Sequence, residues 1–156
     1  MGEPNGIRIY LIFVIILFVS LIVLIKHQIK VFKENKLRNL KITEIDKMTG
    51  EDFEKLLKAY FEDEGYKVSL TPKTNDYGAD LILRKKKETI VVQAKRYNSK
   101  VGNKAVQEIV SAKPIYKATK AIVVTNNYFT KNAINLAKAN DVALLDRKYL
   151  LKRSKK

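Results

Sequence analysis

The chain has 156 residues, with 31 Lys and Arg against 16 Asp and Glu, one His and no Cys. That length holds one ordinary domain plus an appendage, not two full domains. Without cysteine there is no disulfide framework, no thiolate zinc site and no cysteine nucleophile, and His27 stands where Ser-His-Asp chemistry would not be built. Any metal must be held mainly by oxygen ligands, which points to Mg²⁺ or Mn²⁺. Glu3 and Arg8 cancel within residues 1–25, so the whole excess of +15 falls on residues 26–156. That remainder mixes charge with enough apolar residues for a packed core, unlike a disordered basic tail.

Ile9–Ile25 is apolar apart from Ser20. At about 1.5 Å per residue it reaches roughly 26 Å, and Ile7 with a snorkelling Arg8 extends it towards a full bilayer core. A cleaved signal peptide would need a basic start and a small-residue cleavage site, whereas this run ends Leu24-Ile25-Lys26-His27-Gln28. The expectation is a single transmembrane helix, with residues 9–25 in the lipid. Lys26, Lys30, Lys33, Lys36, Arg38 and Lys41 follow the run and one Arg precedes it, which puts the C-terminal domain in the cytoplasm. Residues 27–47 form a basic juxtamembrane linker, either an interfacial helix or a solvated tether.

Thr49 opens a helix, with Glu51 and Asp52 in its first turn. Phe53, Leu56, Leu57, Tyr60 and Phe61 share one face, and Gly65 supplies the stop. Tyr66–Thr71 alternates as a half-buried strand, and residues 72–78 are a loop. Ala79–Arg84 and Thr89–Arg96 form a hairpin across the polar residues 85–88. A helix from about Lys104, with Val106, Ile109 and Val110 inward, closes near Pro114–Tyr116. Ala121–Thr125 reads as a strand buried on both faces. Thr130 caps a helix whose Ala133, Ile134, Leu136 and Ala137 pack inward. Val142–Leu145 is a last buried strand, and Asp146 caps a basic helix. The order after the transmembrane helix, α-β-β-β-α-β-α-β, defines an α/β mixed sheet with helices on its faces.

Gln93 and Lys95 are two apart on a strand and leave the same face, among Ile90, Val91, Val92 and Ala94. A polar pair in so apolar a strand requires a partner, because an unpaired buried amine costs several kcal/mol. Asp80, on the neighbouring strand, supplies one. A carboxylate, an amide oxygen and an ammonium converging at a strand end suit a Mg²⁺-dependent hydrolytic site. Asp80 would bind the cation, Gln93 would add a neutral oxygen, and Lys95 would orient water and stabilise developing charge. The same pattern also suits a structural Asp80–Lys95 ion pair.

Gly78-Ala79-Asp80-Leu81-Ile82 followed by Val91-Val92-Gln93-Ala94-Lys95-Arg96-Tyr97 resembles the catalytic core of Mrr-type restriction endonucleases, a branch of the PD-(D/E)XK superfamily in which Gln replaces the second acid. Thr49-Gly50-Glu51-Asp52-Phe53-Glu54 resembles the family's first helix, and Gly65-Tyr66-Lys67-Val68 its first strand. Val101-Gly102 with Val106-Gln107-Glu108 resembles the helix after the site. Ala121–Asn126 and Phe129-Thr130 with Ala133 resemble its closing strand and helix. The likeness covers roughly residues 48–150 and implies a restriction-endonuclease-like catalytic domain over 48–156, behind an anchor at 1–26. It implies that Asp80, Gln93 and Lys95 are catalytic, that Glu54 completes the site from the first helix, and that the Ala94 carbonyl is a further ligand. The implied cofactor is Mg²⁺, with Mn²⁺ as substitute, and the implied partner is DNA. Gln107 suits the site or the DNA backbone, and equally an ordinary surface position; Thr71, Arg96 and Tyr97 are further candidates for backbone contacts.

Many members of that family carry a separate DNA-recognition domain, for which this chain has no room. The expected activity is membrane-anchored, metal-dependent hydrolysis of DNA from the cytoplasmic side, and the basic charge fits a phosphate backbone. The sequence does not decide whether two subunits pair to cut both strands, although an anchor in a two-dimensional membrane would raise local concentration and help a homodimer form. A non-cleaving module that tethers DNA to the bilayer is the alternative from another class, and an RNase or resolvase would share the chemistry.

Overall fold

The computed structural model describes residues 4–38, 40–72 and 77–154, leaving the side chains at 4–7, 30, 33, 34, 36 and 38 outside the description. Two compact units divide the chain, Met1–Lys36 and Leu37–Lys156. The first is built on one long helix, α1 (Pro4–Arg38). Within it Arg8–Ile29 has a mean hydropathy of 3.0 and buries nothing against protein, so it is long and apolar enough to cross a membrane. Backbone helicity runs past the apolar stretch to Arg38, so residues 27–38 of the expected linker are helical.

The second unit follows the expected order closely. A single turn, α2 (Ile42–Ile45), lies within the expected linker and drives Ile45 fully into the core. Helix α3 (Gly50–Asp63) begins where Thr49 accepts the Asp52 N–H on its hydroxyl, at 3.1 Å, and turns away at Gly65, whose φ is +83°. Strands β1 (Lys67–Leu70), β2 (Leu81–Lys85) and β3 (Glu88–Lys95) are antiparallel neighbours. The hairpin is tighter than the sequence suggests: Lys85 pairs with Glu88, so only Lys86 and Lys87 turn, with Lys86 at φ +54°. Of the expected 72–78 loop, residues 73–76 lie outside the described residues.

Helix α4 (Asn103–Ile115) carries Pro114 in its last turn. Strands β4 (Lys120–Thr125) and β5 (Val142–Leu145) add in parallel beyond β3, with α5 (Lys131–Ala139) between them and α6 (Arg147–Arg153) last. The sheet order is β1-β2-β3-β4-β5. Two expectations fail for geometric reasons. Ala133 and Ala137 occupy the inward stripe of α5, one turn apart, and Ile134 is therefore rotated outward and 50% exposed. As an edge strand β5 buries Val142 but exposes Ala143.

Successive β3 residues feed opposite layers. Ile90 and Val92 join the cluster of α3, Val68 and Leu150, whereas Val91 joins that of α4 and α5. The α3 layer is closed by α6: Arg153 donates to the Tyr60 carbonyl at 2.6 Å and lies 4.8 Å from the Tyr60 ring centroid. At the strand ends Asp46 is gripped by Arg147 through two bonds of 2.7 and 2.8 Å, and accepts from the Asn126 amide at 2.9 Å. Asn126, 2% exposed, also accepts the Tyr97 N–H, so one network joins α2, β3, β4 and α6.

The Arg147 hydrogen bond holds the Asp46 carboxyl below the usual carboxylate range, against the opposing effect of burial. A lowered folded-state value gives stability that is complete above the ordinary carboxylate range and is lost as pH falls through the folded value. Asp46→Asn is expected to cost about 1–2 kcal/mol at neutral pH, the groups being partly exposed. Urea unfolding across pH should show the wild-type and variant midpoints converging in acid; a gap independent of pH would refute the assignment.

Candidate active site

The register Leu81↔Val92 sets Asp80 opposite Gln93 across the β2–β3 ladder, and the Asp80 N–H donates to the Val92 carbonyl at 2.8 Å. Residues directly opposite on an antiparallel pair share a face. Asp80 Oδ2 accepts from Gln93 Nε2 at 2.7 Å and from the Ala94 N–H at 2.6 Å. The carboxylate and the amide are thereby locked together at the end of β3. With its nitrogen committed to Asp80, the Gln93 amide has a free oxygen: Oε1 is buried and has no protein partner, in a residue only 3% exposed. An orphaned buried acceptor beside a carboxylate requires compensation by water or a cation.

Lys95 leaves the same face two residues on. Its ammonium makes an ion pair at 2.9 Å with Glu108 of α4, the side chains being 17% and 29% exposed. The strand-edge pairing of Lys95 therefore involves an acid that sequence reasoning passed over. Glu108 was legible by spacing: Ala105, Ala112 and Glu108 fall on one helical stripe, three and four residues apart. Gln107, the candidate named on that helix, is exposed, in keeping with the surface alternative.

Thr71 serves as a clamp: its hydroxyl donates to the carbonyls of Ala79 and Asp80 at 2.6 and 3.1 Å, and its N–H to Asp80 at 3.0 Å. Arg96 turns to the other sheet face, donating to Asn98 Oδ1 at 3.0 Å and, at 3.5 Å, to the Asp46 carbonyl. Tyr97 is exposed just past the strand, its backbone fixed by Asn126. Glu54 is half-buried on α3, in the layer opposite the one that Gln93 and Lys95 face. Thus Asp80, Gln93, Ala94 and Lys95 come together, and Glu108 joins them.

Could these residues hold a divalent cation? Among the described residues no three His, Asp or Glu side chains gather into a cage. The donor set is one carboxylate, the orphaned Gln93 oxygen and the nearby backbone. It is all oxygen and fits a hard cation that keeps several waters, as Mg²⁺ does.

A five-stranded mixed sheet with helices on both faces, and an acid, amide and lysine at its strand ends, defines an α/β domain of the restriction-endonuclease type. Residues 45–153 match the Mrr catalytic-domain model, described as a restriction endonuclease, and the chain belongs to that family. Among solved structures it is similar to a protein of unknown function, AF1548, with a TM-score of 0.54 and 14% identity over 62% of this chain and 57% of that one. It is also similar to MspJI restriction endonuclease in complex with a 27-mer oligonucleotide, with a TM-score of 0.46 and 18% identity over 64% of this chain. The chain spans little more than half the length of the first and a quarter of the second. No curated protein matches the sequence.

The segment that delivers Asp80 is pinned by Gly78. Its φ is +89°, and a Cβ there would fall 2.7 Å from the Glu108 carbonyl oxygen. Gly78→Ala should therefore strain the backbone and push the segment off α4, costing about 2 kcal/mol or more. Gly50, with open space around it, provides the control: Gly50→Ala should shift stability by no more than about 0.5 kcal/mol. Chemical denaturation of the two variants gives the comparison, and equal stability would contradict the close approach.

Proposed function

We propose that the chain is a membrane-anchored, divalent-metal-dependent endonuclease that hydrolyses DNA phosphodiester bonds, with residues 48–156 as catalytic domain. One observation carries the reading: Asp80 bonded to the Gln93 amide and the Ala94 N–H, with the Gln93 oxygen left unpartnered and Lys95 on the same face. Asp80 and Gln93 would hold the cation, joined by the Ala94 carbonyl. When bound, Mg²⁺ or Mn²⁺ would supply Lewis-acid stabilisation of phosphoryl oxygens. The chain's own residues do the rest. Lys95 presents N–H donors to the phosphate and to the attacking water, and stabilises the negative charge that develops on the phosphoryl oxygens. The Asp80 carboxylate, fixed by two hydrogen bonds, needs no reorganisation as substrate arrives.

The family assignment of residues 45–153 supports nuclease chemistry on DNA, and the net charge of +15 supports binding to a polyanion. The span Arg8–Ile29 supports an anchor, and the lysines that follow it favour a cytoplasmic catalytic domain.

The test uses the full chain in lipid vesicles with plasmid DNA. Cleavage should require Mg²⁺ or Mn²⁺, fall steeply with salt, co-sediment with the vesicles, and drop by at least about a thousandfold in Asp80→Ala and Lys95→Ala. Equal nicking by all three proteins would assign the activity to a contaminant. Salt-dependent DNA binding without cleavage would replace the enzyme with a DNA tether.

A further inference from the structure

We infer that Glu108 is the positioning residue for Lys95: its carboxylate fixes the ammonium in the working orientation at the end of β3. The inference rests on the nuclease reading above and adds to it an acid from α4.

Two contacts hold Lys95 and a third holds its partner. Its backbone is held from β4, where the Thr125 hydroxyl donates to the Lys95 carbonyl at 2.7 Å. The tip of its side chain is held from α4 by the 2.9 Å ion pair with Glu108. Glu108 is in turn held by the close approach of Gly78, two residues before Asp80, to its backbone. The chain that presents the carboxylate of the site and the helix that presents Glu108 are therefore packed as one piece.

Lysine has a long, flexible stem, and holding it in one rotamer costs entropy that a fixed partner prepays. An ammonium has three donors. The Glu108 carboxylate holds the ammonium by charge at 2.9 Å, and the donors remain for a phosphate oxygen and a water without releasing the tether. Placement on a helix face, with the side chain 29% exposed, makes Glu108 a rigid anchor more than a surface charge. Among the described residues Lys104 is the other cation near Glu108; it lies 4.0 Å away with an 89% exposed side chain, so Lys95 is the principal partner. Glu108 acts through Lys95 and touches no reacting atom in this account.

The experiment compares wild type, Glu108→Gln and Glu108→Ala in steady-state cleavage of duplex DNA with saturating Mg²⁺, using the full chain in vesicles. Lys95→Ala and the double variant Lys95→Ala/Glu108→Gln are measured in single turnover. Glu108→Gln keeps the size and an acceptor oxygen and loses the charge, so it carries the test if the alanine variant fails to fold. The expected result is a fall in kcat of about 10–100-fold, the usual range for losing a group that orients a functional side chain, with KM within about twofold of wild type. In the Lys95→Ala background Glu108→Gln should cost nothing further, because residues that act as a unit are not additive. An unchanged kcat in folded Glu108→Gln, or a loss that multiplies that of Lys95→Ala, would overturn the inference while leaving the nuclease reading intact. A folded wild type that does not cleave would instead remove the nuclease reading, and this inference with it.

Discussion

The hydrogen bonds from Gln93 and Ala94 to one oxygen of Asp80 are the constraint on which the site depends. They join two neighbouring strands beyond the last regular ladder pair, where a sheet would normally fray into loop. By consuming the Gln93 nitrogen they leave its oxygen buried and unpartnered. Burial of such an atom is costly by itself. It becomes reasonable when the oxygen stands beside a carboxylate and the missing partner is a cation with its waters. A neutral amide in place of a second acid also lowers the negative charge to be held together before the cation binds.

The remaining architecture delivers those groups and holds them still. Thr71 ties the backbone at Ala79 and Asp80, and Gly78 lets that segment lie against α4. On the opposite face, the Asp46–Arg147–Asn126 network fixes the backbone just past Lys95 by accepting the Tyr97 N–H. The two layers thus grip β3 at one end from both sides. Stability and site geometry share the same residues there, as expected where side chains must be preorganised.

Much of this was legible in the sequence because it follows from local rules. Thr49, Thr130 and Asp146 are caps that act within three residues, and each accepts the expected N–H. The facing of Gln93 and Lys95 follows from the two-residue period of a strand, and Asp80 follows from pairing in the hairpin. The less legible features are long-range. Asp46 and Arg147 are 101 residues apart, and nothing local announces their pairing. Lys95–Glu108 joins a strand to a helix across a layer, and choosing between Gln107 and Glu108 needs the helix phase. Ile134 faces outward for a related reason: an apolar residue beside the inward stripe looks inward until the alanines at 133 and 137 fix the phase.

Oxygen atoms of Asp80 and Gln93 form the proposed cation site, and binding there can be read without catalysis. Electron paramagnetic resonance of Mn²⁺ titrated into the full chain in neutral-lipid vesicles should show the sharp signal of aqueous Mn²⁺ suppressed up to one equivalent. Asp80→Asn, which keeps the shape of the side chain and loses its charge, should abolish that suppression while the fold persists by circular dichroism. Equal Mn²⁺ uptake by the two proteins would contradict the account.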